Sequence, residues 1–333
     1  MHAQFLDKAW AELRPRQLDP IRAWVPTHLP ETRSKGLPLF YMFSGPDFLY
    51  ANTFFPECPT YVLCGTEPCG RIPDLAAMSD AEIDVGLQTV RSSLSAVLSY
   101  SFFITKDMKA DLAKSRFSGT IPLLYVFLVR SGCRIDQAEL VHLTENGSFV
   151  DQVTTTPGVH ITFTGPQGKP QQLYYFTTDL SNWGIRDNPG FMKFCHSLGK
   201  GIGFTKAASY LMHLKEFTTV RDFLLNHTRM IVQDDSGIPL RDFPASRWLV
   251  LGHGSYSKPI DLFADKYQPE MTTLFSGPGA ESLPFSFGYR WRKNESALLC
   301  GILLDDIPKA KPADDKGERI SQTRRVEPET SRR

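Results

Sequence analysis

The sequence predicts an α/β protein with a mixed, partly parallel sheet that is flanked by helices and carries antiparallel hairpins. Three observations support this class. Apolar runs of strand length end in turns rich in Gly, Ser and Asp. Segments with helical spacing separate several of these runs, as parallel strands require. The 333 residues are 41% hydrophobic, which is ample for a buried core.

The first 36 residues predict an N-terminal helical segment. Phe5, Trp10 and Leu13 follow helical spacing before Pro15 interrupts the pattern. Two buried strands come next, and each runs into a turn that contains Gly and Pro. These strands are Leu39–Phe43, before Ser44–Asp47, and Tyr61–Cys64, before Gly65–Pro68.

A capping box marks the clearest helix of the chain. Ser79 and Glu82 are spaced for reciprocal hydrogen bonds with the backbone, and the apolar residues after them share one helical face to about Ser99. A second helix is predicted over about Thr105–Lys114. The run Pro122–Val129 is apolar on both faces, which favours a central strand of the sheet.

The second half of the chain is richer in strand patterns. Val159–Phe163 alternates with period two and Leu173–Phe176 returns after a Gly-Pro turn, which predicts an antiparallel hairpin. Phe285–Trp291 and Leu298–Leu304 predict a second hairpin near the C-terminus. Further strands are predicted at Ile202–Ala207, Met230–Val232 and Trp248–Leu251.

Apolar content divides the chain into three parts. After the helical segment 1–36, residues 37–304 predict an α/β domain, either as one unit or as two packed halves, 37–131 and 132–304. Residues 305–333 hold eight Lys or Arg and seven Asp or Glu, but only three large apolar side chains. That composition predicts a disordered tail.

The charge balance narrows the range of partners and locations. There are 37 Lys and Arg against 36 Asp and Glu, so the formal charge is +1. Nucleic-acid capture needs a basic surplus, so no nucleic-acid partner is expected, whereas a small-molecule ligand is compatible with this balance.

The apolar runs are too short for a membrane span, and the N-terminus lacks the apolar core of a signal peptide. The sequence as given therefore predicts a soluble, cytoplasmic protein. A periplasmic or secreted location is the alternative if a leader precedes Met1.

Three cysteines, Cys58, Cys64 and Cys69, form half of a zinc-binding pattern. Structural zinc sites usually repeat such Cys pairs and add His or Cys partners. Six cysteines in the whole chain are also too few for a disulfide scaffold. Buried thiols or one disulfide are therefore favoured over a structural metal at this cluster.

Carboxylates recur where predicted strands end. Open α/β sheets bind ligands beyond the carboxyl ends of their strands, and carboxylates there suit a divalent metal or acid–base catalysis. We predict Asp47 and Asp179 as catalytic residues, with His253 as a proton relay. Asp234 and Asp235 are adjacent and repel each other, so a divalent cation is predicted to bind them. Turn formation explains each aspartate singly as well, because Asp side chains close turns onto backbone N–H groups.

These residues fit a metal-assisted hydrolase or transferase. The alternative is a non-catalytic protein that binds a small molecule or a partner at its aromatic-rich strand ends. The sequence contains neither a Walker loop nor a G-x-S-x-G nucleophile elbow. Whether the chain is an enzyme therefore stays open at this point.

Three stretches resemble a family of uncharacterised bacterial proteins with an N-terminal export leader. They are FSGPDFLYA (43–51), YVLCGTEP (61–68) and QDDSGIP (233–239). The resemblance covers about residues 35–300 and implies neither an activity nor a catalytic residue, but it favours a leader upstream of Met1. The two aspartates at 234 and 235 also resemble the metal-carrying acidic pair of nucleotide-sugar transferases.

Overall fold

Among the described residues, ten strands form one mixed sheet at the centre of the protein. The computed structural model describes residues 1–29, 36–100, 116–277, 281–290 and 292–306. In chain order, the strands are β1 (Leu39–Tyr41), β2 (Thr60–Gly65), β3 (Arg134–Leu143), β4 (Phe149–Val150), β5 (Pro157–Thr164), β6 (Pro170–Thr177), β7 (Gly201–Thr205), β8 (Thr228–Gln233), β9 (Trp248–Gly254) and β10 (Ala297–Leu303). Their order across the sheet is β4-β3-β5-β6-β2-β1-β7-β8-β10-β9.

Five neighbouring strands form the parallel part of the sheet. β6, β2, β1, β7 and β8 run in one direction, and Leu39 of β1 lies opposite Tyr61 on one side and Ile202 on the other. Antiparallel strands extend the sheet at both sides, with β5, β3 and β4 beyond β6, and β10 beyond β8. The edge strand β9 pairs with β10, also in antiparallel fashion. The predicted fold class is therefore confirmed.

Helices cover both faces of this sheet. The α-helices are α1 (His2–Leu13), α2 (Asp19–His28), α3 (Phe48–Phe54), α4 (Asp80–Tyr100), α5 (Ile121–Arg130), α6 (Asn182–Asp187), α7 (Gly190–Ser197), α8 (Thr218–His227) and α9 (Pro269–Phe275), and a π-helical turn, Arg14–Leu18, joins α1 to α2. The first five helices pack on one face, and α6, α7 and α8 pack on the other. We call the core under α1–α5 the first core and the core under α6–α8 the second core. Because strand residues alternate between faces, Tyr41 packs in the first core and Phe40 in the second.

The direction of chain winding reverses between β1 and β7. β1 leads through α3 on one face to β2, whereas β7 leads through α8 on the opposite face to β8. The loops that leave these two neighbouring strands therefore diverge and open a crevice at the carboxyl ends of the strands. Open α/β sheets bind ligands in such a crevice.

Two local predictions are confirmed. The Ser79 N–H donates to Glu82 Oε2 (2.9 Å), and the Glu82 N–H donates to Ser79 Oγ (3.4 Å), so the capping box opens α4 as expected. β5 and β6 pair in antiparallel fashion on either side of the Gly165–Gly168 turn.

The prediction of a central strand over Pro122–Val129 is wrong, because these residues belong to helix α5. Pro122 fits the first turn of this helix, where its missing N–H removes no helical hydrogen bond. Leu124 and Phe127 are fully buried in the first core. A helix with apolar neighbours on most sides has no wide polar stripe, so periodicity alone does not distinguish it from a buried strand.

The predicted hairpin near the C-terminus is also wrong. Residues 285–290 form turns and irregular backbone, and β10 pairs with β8 and β9 instead. Every residue of β10 is buried. Its apolar composition therefore reflects an internal position in the sheet, between two strands that precede it in the chain.

The predicted parts of the chain share packing where they are described. Trp10 and Ile21 of the N-terminal helical segment belong to the same core as Leu63, and β2 from the first predicted half pairs with β6 from the second. The division into segment, domain and halves stays a prediction.

Two predicted segments lie outside the described residues, namely the helix 105–114 and residues 307–333 of the tail. Leu304–Asp306, which include the first two residues of the predicted tail, form a short 3₁₀ turn. Within the described ranges, no helix is both long enough and apolar enough to cross a membrane.

The helical assignment of α5 predicts an asymmetric response to truncation. Leu124→Ala removes a fully buried side chain and should lower the free energy of unfolding by about 2–5 kcal/mol. Val129→Ala, at a position that is 60% exposed, should change it by about 0.5 kcal/mol or less. Denaturant titration of both variants measures the difference, and equal losses would contradict this packing.

Candidate functional site

A cleft of about 310 Å³ lies at the carboxyl ends of the central parallel strands. Residues that follow β1, β2, β6 and β7 form its walls. The charged side chains on its lining are Asp47, Glu67, Asp179 and Lys206. The cleft therefore occupies the crevice at which the chain winding reverses, which makes it the candidate site.

Asp47 is held in place by the start of helix α3. As the N-cap residue, it accepts a hydrogen bond from the Tyr50 N–H through Oδ1 (3.2 Å). Its Oδ2 accepts a hydrogen bond from the Tyr41 hydroxyl (2.9 Å) and lies 2.8 Å from Lys206 Nζ. The carboxylate thus has a local structural role in the turn after β1, and it also contacts the first residue after β7.

Lys206 brings a buried positive charge to the cleft. Its side chain is 1% exposed and that of Asp47 is 3% exposed, and the ammonium lies 3.6 Å from the centroid of the Tyr50 ring. Burial lowers the pKa of the Lys206 ammonium, and the nearby Asp47 carboxylate opposes that shift. Burial likewise raises the pKa of the Asp47 carboxyl, against the effect of Lys206. Each charge therefore depends on the other.

Asp234 supports the Lys206 loop from the end of β8. Its Oδ2 accepts a hydrogen bond from the Ala207 N–H (3.1 Å), and its Oδ1 accepts hydrogen bonds from the Ser236 N–H (3.2 Å) and hydroxyl (2.6 Å). Gly288 packs so closely that a Cβ there would lie 2.0 Å from Asp234 Oδ2. Burial, reinforced by the charge of Asp235, raises the pKa of the Asp234 carboxyl to about 7.

Backbone strain concentrates in the two loops that form this crevice. In the described chain, the non-glycine residues with positive φ are Phe43 after β1, and Ala207, Ser209 and Tyr210 after β7, with φ between 52° and 58°. The Ser209 N–H donates to the Tyr289 hydroxyl (2.9 Å), which itself donates to the Ala207 carbonyl (2.9 Å). Left-handed backbone at non-glycine residues costs free energy and is typical of functional sites.

Glu67 forms part of the floor of the cleft after β2. Glu67 is only 4% exposed. Its backbone carbonyl accepts hydrogen bonds from the Tyr175 hydroxyl (2.8 Å) and the Thr177 hydroxyl (2.9 Å). A Cβ at Gly65 would lie 2.2 Å from Glu67 Oε2. The glycine therefore makes room for this carboxylate at the end of β2.

The five predicted site residues divide into three groups. Asp47 and Asp179 both line the cleft, although Asp179 is exposed and its Oδ1 accepts a hydrogen bond from the Ser181 N–H (2.8 Å), as in an ordinary turn. Asp234 and Asp235 follow β8, where Asp235 Oδ2 accepts a hydrogen bond from the Tyr210 hydroxyl. His253 lies on edge strand β9 and is not part of the cleft lining.

The surroundings of His253 differ from those of the cleft. Its ring packs edge-on against Trp24 (5.0 Å between ring centroids) and His28 (5.5 Å). Burial and the nearby His28 lower the pKa of the His253 imidazole to about 4. The structure thus places this residue beside helix α2 and outside the cleft lining to which Asp47 belongs, and its relay role stays a prediction.

Sequence reasoning missed the cation of the site. Lys206 is the penultimate residue of the strand predicted at Ile202–Ala207, so a search of strand ends for cations as well as carboxylates would have found it. Tyr41 and Tyr50 have no comparable local signal, because aromatic residues are common in strands and helices of a core.

The sequence also predicts that Asp234 and Asp235 bind a divalent cation. Among the residues that the structure describes, no group of three or more His, Cys, Asp or Glu side chains is arranged to hold a metal ion. All six cysteines are buried free thiols, as the sequence favoured for Cys58, Cys64 and Cys69. A divalent cation at Asp234 and Asp235 stays a prediction.

Comparison with known proteins does not place this chain in a family. No protein-family model matches the chain. No curated protein and no solved structure is significantly similar to it.

The buried Asp234 carboxyl predicts a specific pH dependence of stability. Its pKa is about 7 in the folded chain and 3.8 in the unfolded chain, so the folded chain binds the proton more tightly. Asp234 therefore costs stability increasingly as the pH rises from about 4 to about 7. Relative to Asp234→Asn, the native chain should therefore lose stability progressively as the pH rises through that window.

Denaturant titrations of both proteins at several pH values measure this difference. Asp187→Asn, which changes an exposed carboxylate on α6, is the control and should give a curve parallel to that of the native chain. A stability of the native chain, relative to Asp234→Asn, that stayed constant or rose with pH would contradict the burial of this charge.

Calorimetry tests the cation predicted at Asp234 and Asp235. A bound cation would compete for carboxylate oxygens that already accept hydrogen bonds from Ala207, Ser236 and Tyr210. The prediction expects Mg²⁺, Mn²⁺ or Ca²⁺ to bind the native chain and to bind Asp234→Asn at least about tenfold more weakly. An absence of binding heat with all three ions would contradict it.

Proposed function

We propose that this chain is an enzyme that binds a small polar molecule in the cleft between the loops after β1 and β7. In this proposal, Lys206 and Asp47 carry out general acid–base catalysis. The observation that supports it best is the ion pair between these two residues, which is buried and yet lies on the lining of the cleft. Such a pair, with pKa values shifted by burial, is a common feature of catalytic sites.

A purely structural role explains this ion pair less well. Moving an ammonium and a carboxylate out of water costs several kcal/mol each, and apolar residues of similar volume often stabilise a fold as much or more. The neighbouring backbone adds to the cost, because Phe43 and Ala207 both have positive φ. Costs of this kind at the strand ends of an α/β sheet are expected where a ligand binds.

The chemistry follows from what each group can donate or accept. Lys206 would donate a proton or a hydrogen bond to a ligand oxygen or nitrogen on which negative charge develops during the reaction. Asp47 would hold the ammonium in position and take part in the return of the proton. The burial of both side chains strengthens both effects, because electrostatic interactions weaken in a high dielectric. Asp179 at the exposed side of the cleft would contact polar groups of the ligand.

The competing proposal is a non-catalytic protein that uses the same cleft to bind a small molecule. The aromatic side chains Phe43 and Phe217, which contact each other at 5.7 Å between ring centroids and line the cleft, favour ligand binding in either case. Turnover, rather than binding, therefore distinguishes the two proposals.

Mass spectrometry of a metabolite extract tests the enzyme proposal. We expect the native chain to consume at least one small polar compound, and Lys206→Met and Asp47→Asn to slow its consumption by about 10²- to 10⁴-fold. Lys258→Met is the matched control, because Lys258 also pairs with an aspartate at 2.8 Å but is exposed and lies outside the cleft lining. Consumption that is equally fast in all three variants would contradict the proposal. A compound that binds and is returned unchanged would support the non-catalytic alternative.

A double variant keeps this test valid if single variants fold poorly. Removing one partner leaves a buried, unpaired charge and typically costs about 3–5 kcal/mol. Replacing both, in Asp47→Asn with Lys206→Met, removes that unpaired charge, so thermal unfolding should show the double variant to be more stable than Lys206→Met alone. The double variant should remain inactive.

A further inference from the structure

A second cavity, of about 400 Å³, lies at the opposite edge of the sheet from the cleft. Its lining includes Pro59 and Pro170, at the amino ends of β2 and β6, and the Gly165–Lys169 turn. A cavity of this size falls within the range of about 300–1,000 Å³ that is usual for small-molecule sites. The residues of the candidate site do not contribute to it.

Four cations from separate parts of the chain line this cavity. Arg14 comes from the π-helical turn, Arg22 from α2, Arg130 from the end of α5, and Lys169 from the turn before β6. Glu57 is the only carboxylate on the described lining. The cations on the lining therefore outnumber the carboxylates by four to one, which favours an anionic ligand.

The carboxylates around the cavity balance these cations only in part. Asp19 contacts both Arg22 (3.1 Å) and Arg14 (3.7 Å), and Asp7 contacts Arg130 (2.5 Å). Neither aspartate lies on the cavity lining. Glu57 lies 3.7 Å from Lys169, beyond hydrogen-bond distance. Each guanidinium carries five N–H donors, so one or two contacts with Asp19 or Asp7 leave donors for a ligand.

Two neutral polar residues, Gln171 and Ser131, also belong to the wall. The buried Gln171 side chain donates through Nε2 to the carbonyls of Pro56 (2.9 Å) and Cys58 (2.7 Å), so it occupies acceptors that would otherwise repel an anion. The Ser131 hydroxyl is buried and has no hydrogen-bond partner among the described residues. The Ser131 hydroxyl oxygen is covered by neighbouring atoms, so the more exposed guanidinium and ammonium groups are the donors that a ligand would meet first.

We propose that this cavity binds a small anion that carries phosphate or carboxylate groups. Arginine suits both, because its planar fork of N–H donors matches the oxygens of either group. Arg22 and Arg130 approach from different helices and would contact the anion from two sides. This proposal is independent of the enzyme proposal, since it concerns the opposite edge of the sheet.

Isothermal titration calorimetry with sodium pyrophosphate and sodium citrate tests it, at constant ionic strength and with the full chain. We expect at least one of the two anions to bind, and Arg22→Gln and Arg130→Gln each to raise its Kd by at least about tenfold. Preference for pyrophosphate would identify phosphate as the group recognised, and preference for citrate would identify carboxylate.

Arg134→Gln is the matched control, because Arg134 also pairs with an aspartate (2.9 Å) but is exposed on β3, outside the cavity. Circular dichroism checks that each variant is folded, and Arg130→Lys should restore part of the affinity because it keeps the charge. Two results would overturn the proposal. One is the absence of binding by both anions, and the other is a loss in Arg134→Gln as large as in Arg130→Gln.

Discussion

The contact between Lys206 and Asp47 joins the two loops on which the candidate site depends. One loop follows β1 and turns into α3 on one face of the sheet, and the other follows β7 and continues to the opposite face. The 2.8 Å ion pair is therefore a link across the point at which the chain reverses its winding. Because both charges are buried, neither is stable there without the other.

The rest of the site serves to hold this pair in position. Tyr41 and the Tyr50 N–H orient the Asp47 carboxylate, and the Tyr50 ring lies against the Lys206 ammonium. Asp234 binds the Ala207 N–H and so supports the left-handed backbone directly after Lys206. These groups come from α3, β1 and the end of β8, so several elements must be assembled before the site exists.

Charge is divided unequally between the two edges of the sheet. The cleft at the carboxyl ends is lined by three carboxylates and one lysine, whereas the cavity at the amino ends is lined by four cations and one carboxylate. The near-neutral total of 37 basic and 36 acidic residues conceals this separation. A chain whose net charge is close to zero can therefore still have two pockets of opposite electrostatic character.

Much of the fold follows from local patterns. The capping box of α4, the β5–β6 hairpin and the strands of the parallel core were predicted because residues within a few positions determine them. Pro122–Val129 and the partner of β10 were not, since burial on all sides removes the periodicity that distinguishes a helix from a strand, and pairing depends on distant strands. For the site, the sequence by itself determined that Asp47, Asp179 and Asp234 lie at strand ends. Only the tertiary structure decided that Lys206 is the partner of Asp47 and that His253 packs beside Trp24, because these contacts join residues far apart in the chain.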